Sequence, residues 1–178
     1  YLPAAGEHDN QITDRPARES NKPGEYFFSN NFDANALGTI FVQETGYTIG
    51  AFMEEFLARP LGMQDFNQHN VIMGDPWFWP EKNTLHRMYN MYLSARDMAR
   101  IGAMVASGGR WNGKQVVPES WIIESTTPHS DLTDNHINYR YKAFGYVWRI
   151  DHDGTVWTDG YGGHFMLKDP KRNLTVVE

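Results

Sequence analysis

The stretch FGYVWRIDHDGTVWTDGYGGHFMLKDPKRNLTVV, residues 144–177, decides the fold. Runs rich in Val, Ile, Thr and aromatic residues at Phe144 to Ile150, Thr155 to Trp157, Gly163 to Leu167 and Leu174 to Val177 read as strands. Between them, Asp151-His152-Asp153-Gly154 and Asp169-Pro170-Lys171-Arg172-Asn173 carry the residues that favour tight turns. Such short connections join antiparallel neighbours, because a parallel pair needs a crossover of a dozen residues or more.

Upstream the period changes. Asp33 stands at the front of Ala34, Leu37, Ile40 and Phe41, whose helical spacing closes at Gly46, so a helix is expected over 33–45. Thr48 caps a second helix carrying Phe52, Met53, Phe56 and Leu57, which Pro60 and Gly62 should stop. Residues 64–92, with Trp77, Trp79, Pro76 and Pro80, read as an irregular aromatic loop. Ser94 with Asp97 has the form of a capping box, and Met98, Ile101 and Val105 continue as a helix to Ser107-Gly108-Gly109. Trp111 to Lys114 reads as a tight turn, Pro118 as the first residue of a short helix, and 126–140 as a polar stretch. Helices first and adjacent strands last give an α+β chain with an antiparallel sheet.

Composition narrows the function. The 178 residues hold 16 Lys and Arg against 22 Asp and Glu, a formal charge of −6, with no basic cluster for a phosphate backbone, so a nucleic-acid partner is not expected. Mean hydropathy is −0.59 and no run approaches the ~18 apolar residues of a membrane helix. The absence of cysteine removes disulfides, thiolate metal sites and a cysteine nucleophile. The seven histidines show neither His-x-x-x-His nor His-Glu-x-x-His spacing, so neither a metal nor a cofactor is expected. No Ser-x-x-Lys and no Gly-x-Ser-x-Gly occurs, and Gly160 to Gly163 opens a strand rather than a phosphate-holding helix. The polar, proline-marked residues 1–24 read as a surface loop, and the character of both ends as those of an internal fragment.

Four blocks then stand in order: KPGEYFFSNNFDANALGTIFVQETG at 22–46, FLARPLGM at 56–63, LSARDMARIGAMVASGGRWNGKQVVPESWI at 93–122 and DGYGGHFMLKDPKRNLTVV at 159–177. Together they resemble the serine β-lactamase-like family, which includes class C β-lactamases, penicillin-binding and D-aminopeptidase-type proteins, and esterases. The resemblance implies a β-lactamase/transpeptidase-like fold, with an antiparallel sheet packed against helices and the site in the crevice between. Residues 1–178 would form a single partial domain. It would comprise a loop with the second motif (1–32), a mainly helical part (33–140) and C-terminal strands (141–178). It further implies a hydrolase of a small amide or ester through an acyl-serine, weakly favours a periplasmic or secreted protein, and places the nucleophilic Ser-x-x-Lys upstream of Tyr1.

On the family's Tyr-x-Asn motif, gapless counting places Ser29-Asn30-Asn31, so Asn31 matches and Ser29 stands where a phenol is expected; Tyr26 is the nearest phenol upstream. On the Lys-Thr-Gly or His-x-Gly motif fall Tyr161-Gly162-Gly163, with Tyr161 in place of the cation. The resemblance thus assigns catalytic positions to Ser29, Asn31 and Tyr161 and substrate-binding positions to Gly162 and Gly163, Gly163 leaving room for substrate along a strand edge. The departure at Ser29 keeps open an alternative, a catalytically silent ligand-binding or regulatory relative.

Overall fold

The structure, a computed structural model, describes residues 16–22, 25–74, 85–132, 141–160 and 162–178. Contacts divide the chain into two compact units, residues 1–55 with 66–92, and residues 56–65 with 93–178.

In the first unit, helix α1 (Asn31–Thr45) begins two residues before the expected start, because its cap is Asn30, whose side chain accepts from the Asp33 N–H. Gly46, in the left-handed region at φ 71°, ends it. The buried positions of α1 are Asn35 and Gly38, whereas Leu37 and Ile40 of the expected apolar stripe remain exposed. The Tyr89 ring lies against Gly38 and its hydroxyl donates to the Ala34 carbonyl at 3.2 Å, so this face of α1 is selected for closeness rather than bulk.

Helix α2 (Ile49–Met53) is capped by Thr48 as expected, and Phe52 meets Phe41 edge-on at 5.0 Å. The helical run does not stop at Pro60. It continues through a π-turn (Glu54–Ala58) into α3 (Arg59–Leu61), with Pro60 in the first turn of α3; Gly62, at φ 63°, is the actual stop. The described residues of 64–92 also hold more regular structure than expected. A 3-10 turn (Gln68–Asn70) leads into β1 (Val71–Met73), which pairs antiparallel with β2 (Tyr89–Met91) in the register Val71↔Met91. Three-residue strands separated by a long excursion carry too little alternation to be read locally. Trp77, Trp79, Pro76 and Pro80 lie outside the described residues.

The second unit contains α3 and, close to where the sequence places them, α4 (Ala95–Ala106), the two-stranded turn β3 (Arg110–Trp111) and β4 (Lys114–Gln115), and α5 (Glu119–Ser125), for which Pro118 is the N-cap. A six-stranded antiparallel meander follows: β5 (Ser130–Asp131), β6 (Ala143–Phe144), β7 (Arg149–Ile150), β8 (Val156–Asp159), β9 (Phe165–Asp169) and β10 (Leu174–Val177). Two local readings change. The polar stretch 126–140 contributes β5, and the single strand expected over 144–150 is two strands folded back at Gly145 to Trp148, with the Gly145 N–H donating to the Trp148 carbonyl at 2.8 Å. Val147 takes φ 66° there, a conformation unfavourable for a β-branched residue, which is why its sequence reads as strand rather than turn.

Helix α4 packs on β9 and β10. Gly102 permits the approach: a methyl group at this position would meet Thr175 Cγ2 at 2.3 Å, and the Thr175 hydroxyl donates to the Gly102 carbonyl at 3.2 Å. Leu61, Met104, Val105 and Ile122 form the buried cluster of this unit. Beside it the Ser94 hydroxyl caps α4 by accepting from the Asp97 N–H, but the Asp97 carboxylate, wholly buried, serves a distant partner. It accepts from the N–H groups of Gln64 and Asp65, both at 2.9 Å.

Asp65 itself is clamped by Arg96, at 2.6 and 2.7 Å, and by the Ser94 hydroxyl at 2.6 Å. The Arg96 hydrogen bonds, then that of Ser94, pull its pKa down to about 2. A carboxylate depressed below its unfolded value of ~3.9 contributes stability above that pH and loses it as pH falls through the folded value. The expected result is an acid limb between about pH 4 and pH 2 in thermal melts that becomes shallower in Asp65→Asn; an unchanged limb would refute the assignment.

Candidate active site

The second-motif residues precede and open α1. Ser29 is exposed in the segment before the helix, and Asn31 is the helix's half-buried first residue. Between them Asn30 is fully used in capping: its amide donates to the Phe28 carbonyl at 3.2 Å and to Asp33 Oδ2 at 2.8 Å, while its oxygen accepts from the Asp33 N–H at 2.9 Å. The Asn-x-x-Asp spacing was the available signal for this cap, and it fixes the backbone direction at which Ser29 and Asn31 leave the helix end. Tyr26 is half-buried in the same segment.

Of the third-motif residues, Gly162 and Gly163 lie in the turn between β8 and β9. The Gly160 N–H donates to the His164 carbonyl at 2.8 Å and the Gly163 N–H to the Gly160 carbonyl at 3.3 Å. Gly162 and Gly163 are exposed, at φ 90° and 88°, while Tyr161 lies outside the described residues. Two expectations about Gly163 are corrected. It sits in the turn outside β9, and β9 is no sheet edge, since it pairs with both β8 and β10. Among the described residues, and apart from its two chain neighbours, no atom lies within 4 Å of where its Cβ would be, so glycine is favoured there by its positive φ rather than by crowding. His164 is exposed.

Next to this turn the sheet has an open concavity of about 350 Å³ lined by Asp151, Trp157, Asp159, Gly163, Phe165 and Leu167. The register explains the lining: Trp157 pairs with Leu167 and Asp159 with Phe165, so all four side chains stand on the face opposite Met166, which approaches Gly102 of α4. Arg149, the partner of Trp157 on β7, joins this face. Its guanidinium carbon lies 5.2 Å from the Trp157 ring centre, 5.4 Å from that of Tyr141 and 5.9 Å from that of Phe144, and one nitrogen pairs with Asp159 at 2.5 Å. Burial pushes the Tyr141 hydroxyl up despite the adjacent cation. The Trp157 indole donates to Asp151 Oδ1 at 3.1 Å. Sequence reasoning missed Arg149, Asp151 and Asp159. The i, i+2 spacing of Trp157 and Asp159 was the one local hint that they share a face.

Among the described residues no group of three acidic or histidine side chains stands close enough to hold a metal ion, and no helix is long and apolar enough to cross a membrane.

The model of the family described as "Beta-lactamase" matches residues 2–177. The chain belongs to the β-lactamase family. This β-lactamase-family chain is 32% identical over 117 residues to an uncharacterized protein of Alkalihalophilus pseudofirmus, an alignment covering 58% of the chain and 34% of that protein. Among solved structures, a putative 6-aminohexanoate-dimer hydrolase from Bacillus anthracis superposes with a TM-score of 0.64 at 23% identity, over 90% of this chain and 39% of that one. A penicillin-binding protein homolog from Caulobacter crescentus superposes with a TM-score of 0.53 at 18% identity, over 78% of this chain and 48% of that one. The chain thus spans about a third of the curated relative and less than half of each structural neighbour. The α+β, β-lactamase/transpeptidase-like fold expected from the sequence is the fold observed.

Proposed function

We propose that this chain is part of a serine hydrolase that cleaves a small amide or ester through an acyl-serine. The family match across residues 2–177 carries the reading. In this chemistry a serine oxygen attacks the carbonyl carbon while its proton passes to a neighbouring base. The tetrahedral oxyanion is held by fixed N–H donors, the leaving nitrogen or oxygen departs with a proton, and water then releases the acyl group. The 178 residues contain no Ser-x-x-Lys, so the nucleophile and its lysine come from outside them. The family resemblance gives Asn31 the role of holding substrate and the motif lysine, and gives Tyr161, Gly162 and Gly163 the third-motif positions.

A second reading, a catalytically silent relative that binds a ligand, is favoured by Ser29. An aliphatic hydroxyl is shorter and less acidic than a phenol of pKa ~10 and cannot take over its proton transfer.

The test is acylation. A fluorescent penicillin and a p-nitrophenyl ester are expected to leave the 178-residue chain unmodified in intact-mass measurement, and to acylate a longer product of the same reading frame bearing Ser-x-x-Lys. Acylation of the short chain, or turnover that survives replacement of the motif serine by alanine, would overturn the proposal.

A further inference from the structure

The concavity beside the Gly160 to Gly163 turn has a chemistry of its own. Trp157, Phe165 and Leu167 give it apolar walls, and about 350 Å³ is room for a compact ligand. Among the described residues its charge is set by three groups. Arg149 is already paired with Asp159 and lies against the rings of Tyr141, Phe144 and Trp157, so its cation is neutralised within the wall. Asp151 is a second carboxylate, and it leaves the lining with one net negative charge. Each carboxylate uses Oδ1 to build the wall, Asp151 on the Trp157 indole and Asp159 on Arg149, and among the described residues neither Oδ2 has a hydrogen-bond partner.

An anionic ligand would face both carboxylates. A neutral apolar one would take water from them and return no donor, which is unfavourable. The complement is a charged donor on an apolar body, whose ammonium can bond to the carboxylate oxygens.

We propose that this concavity binds a primary ammonium group carried on an aromatic or aliphatic body. Calling that ligand the amine-bearing end of the substrate rests on the hydrolase reading; the binding itself does not, and is measured without turnover.

The probes are phenethylamine, 2-phenylethanol and phenylacetate, of similar shape and different charge. They are titrated into the 178-residue chain at neutral pH by calorimetry and by following the Trp157 indole N–H resonance, which is assigned through Trp157→Phe. Phenethylamine is expected to move that resonance and to bind about tenfold more tightly than the alcohol, with no binding of phenylacetate. Raising the salt weakens the amine and not the alcohol. Asp151→Asn lowers amine affinity about tenfold, and Asp159→Asn does the same while releasing Arg149, so that phenylacetate then binds. Equal binding of amine and alcohol, preference for phenylacetate, or an unmoved Trp157 resonance would overturn the proposal, and these comparisons on the unmodified chain decide it even where a variant fails to fold. Amine binding without acylation of the longer protein would refute the hydrolase reading alone; acylation without amine binding would refute this inference alone.

Discussion

Asp97→Ala is expected to cost roughly 3–5 kcal/mol of stability, the range for removing one partner from a buried charged network. The carboxylate is wholly buried, accepts from the N–H groups of Gln64 and Asp65 at 2.9 Å each, and lies 3.8 Å from Arg100. Arg100 in turn donates to the Gly62 carbonyl, so the segment after α3 is held to α4 by charge-assisted bonds from both residues. Removing the carboxylate leaves two backbone donors without this acceptor, a cavity beside the Ser94 cap and a half-buried cation without its counter-charge. For a chain of this size the loss corresponds to a fall in Tm of roughly 6–20 °C in calorimetric or circular-dichroism melts. Asp97→Asn keeps one acceptor oxygen and nearly the same volume, and should fall between the parent and the alanine variant. An alanine variant that melts within a degree of the parent would show that the two N–H groups find water instead, and would remove Asp97 from the account of how α3 and α4 are joined.

The second large effect concerns Ser29, in a protein that carries the Ser-x-x-Lys motif. Loss of a general base typically forfeits 10²- to 10⁴-fold in rate, so restoring a phenol by Ser29→Tyr should raise kcat/KM for a small ester by on the order of 10²-fold. The position is exposed and outside α1, so the added ring displaces no packed side chain. Asn31→Ala should lower kcat/KM in either background, because the role proposed for the amide is to position substrate and lysine rather than to move a proton. A silent binder gives another pattern, with no turnover in Ser29→Tyr and altered stability alone in Asn31→Ala. If Ser29→Tyr changes nothing while Tyr26→Phe abolishes activity, the working phenol is Tyr26 and the gapless placement of the motif is wrong.

Most of the site's scaffold was legible because it is local. Ser94 ahead of α4, Thr48 ahead of α2 and Gly46 after α1 announce helix ends within a few residues, and the turn at Asp169 to Asn173 is written in its own hydrogen bonds. Asp169 accepts from the N–H groups of Lys171 and Arg172 at 2.9 and 3.1 Å. The misreadings have the opposite cause. Ser94 and Asp97 read as a capping box, yet the Asp97 carboxylate serves Gln64 and Asp65, more than thirty positions earlier in the chain. The strand expected over 144–150 folds back because pairing with β5 and β8 on either side outweighs the local strain at Val147.

The sequence by itself determined the order of the main helices, the antiparallel character of the C-terminal strands and the family, since capping groups, turn residues and motif blocks act over spans shorter than one element. Only the tertiary structure decided that Arg149, Asp151, Trp157 and Asp159 share one face, that Asp97 is buried, and that β9 lies inside the sheet. These follow from strand register and from the burial of charge. Both are fixed by contacts between residues far apart in the chain, whose individual energies are too small to be expressed until the surrounding elements have closed together and excluded water.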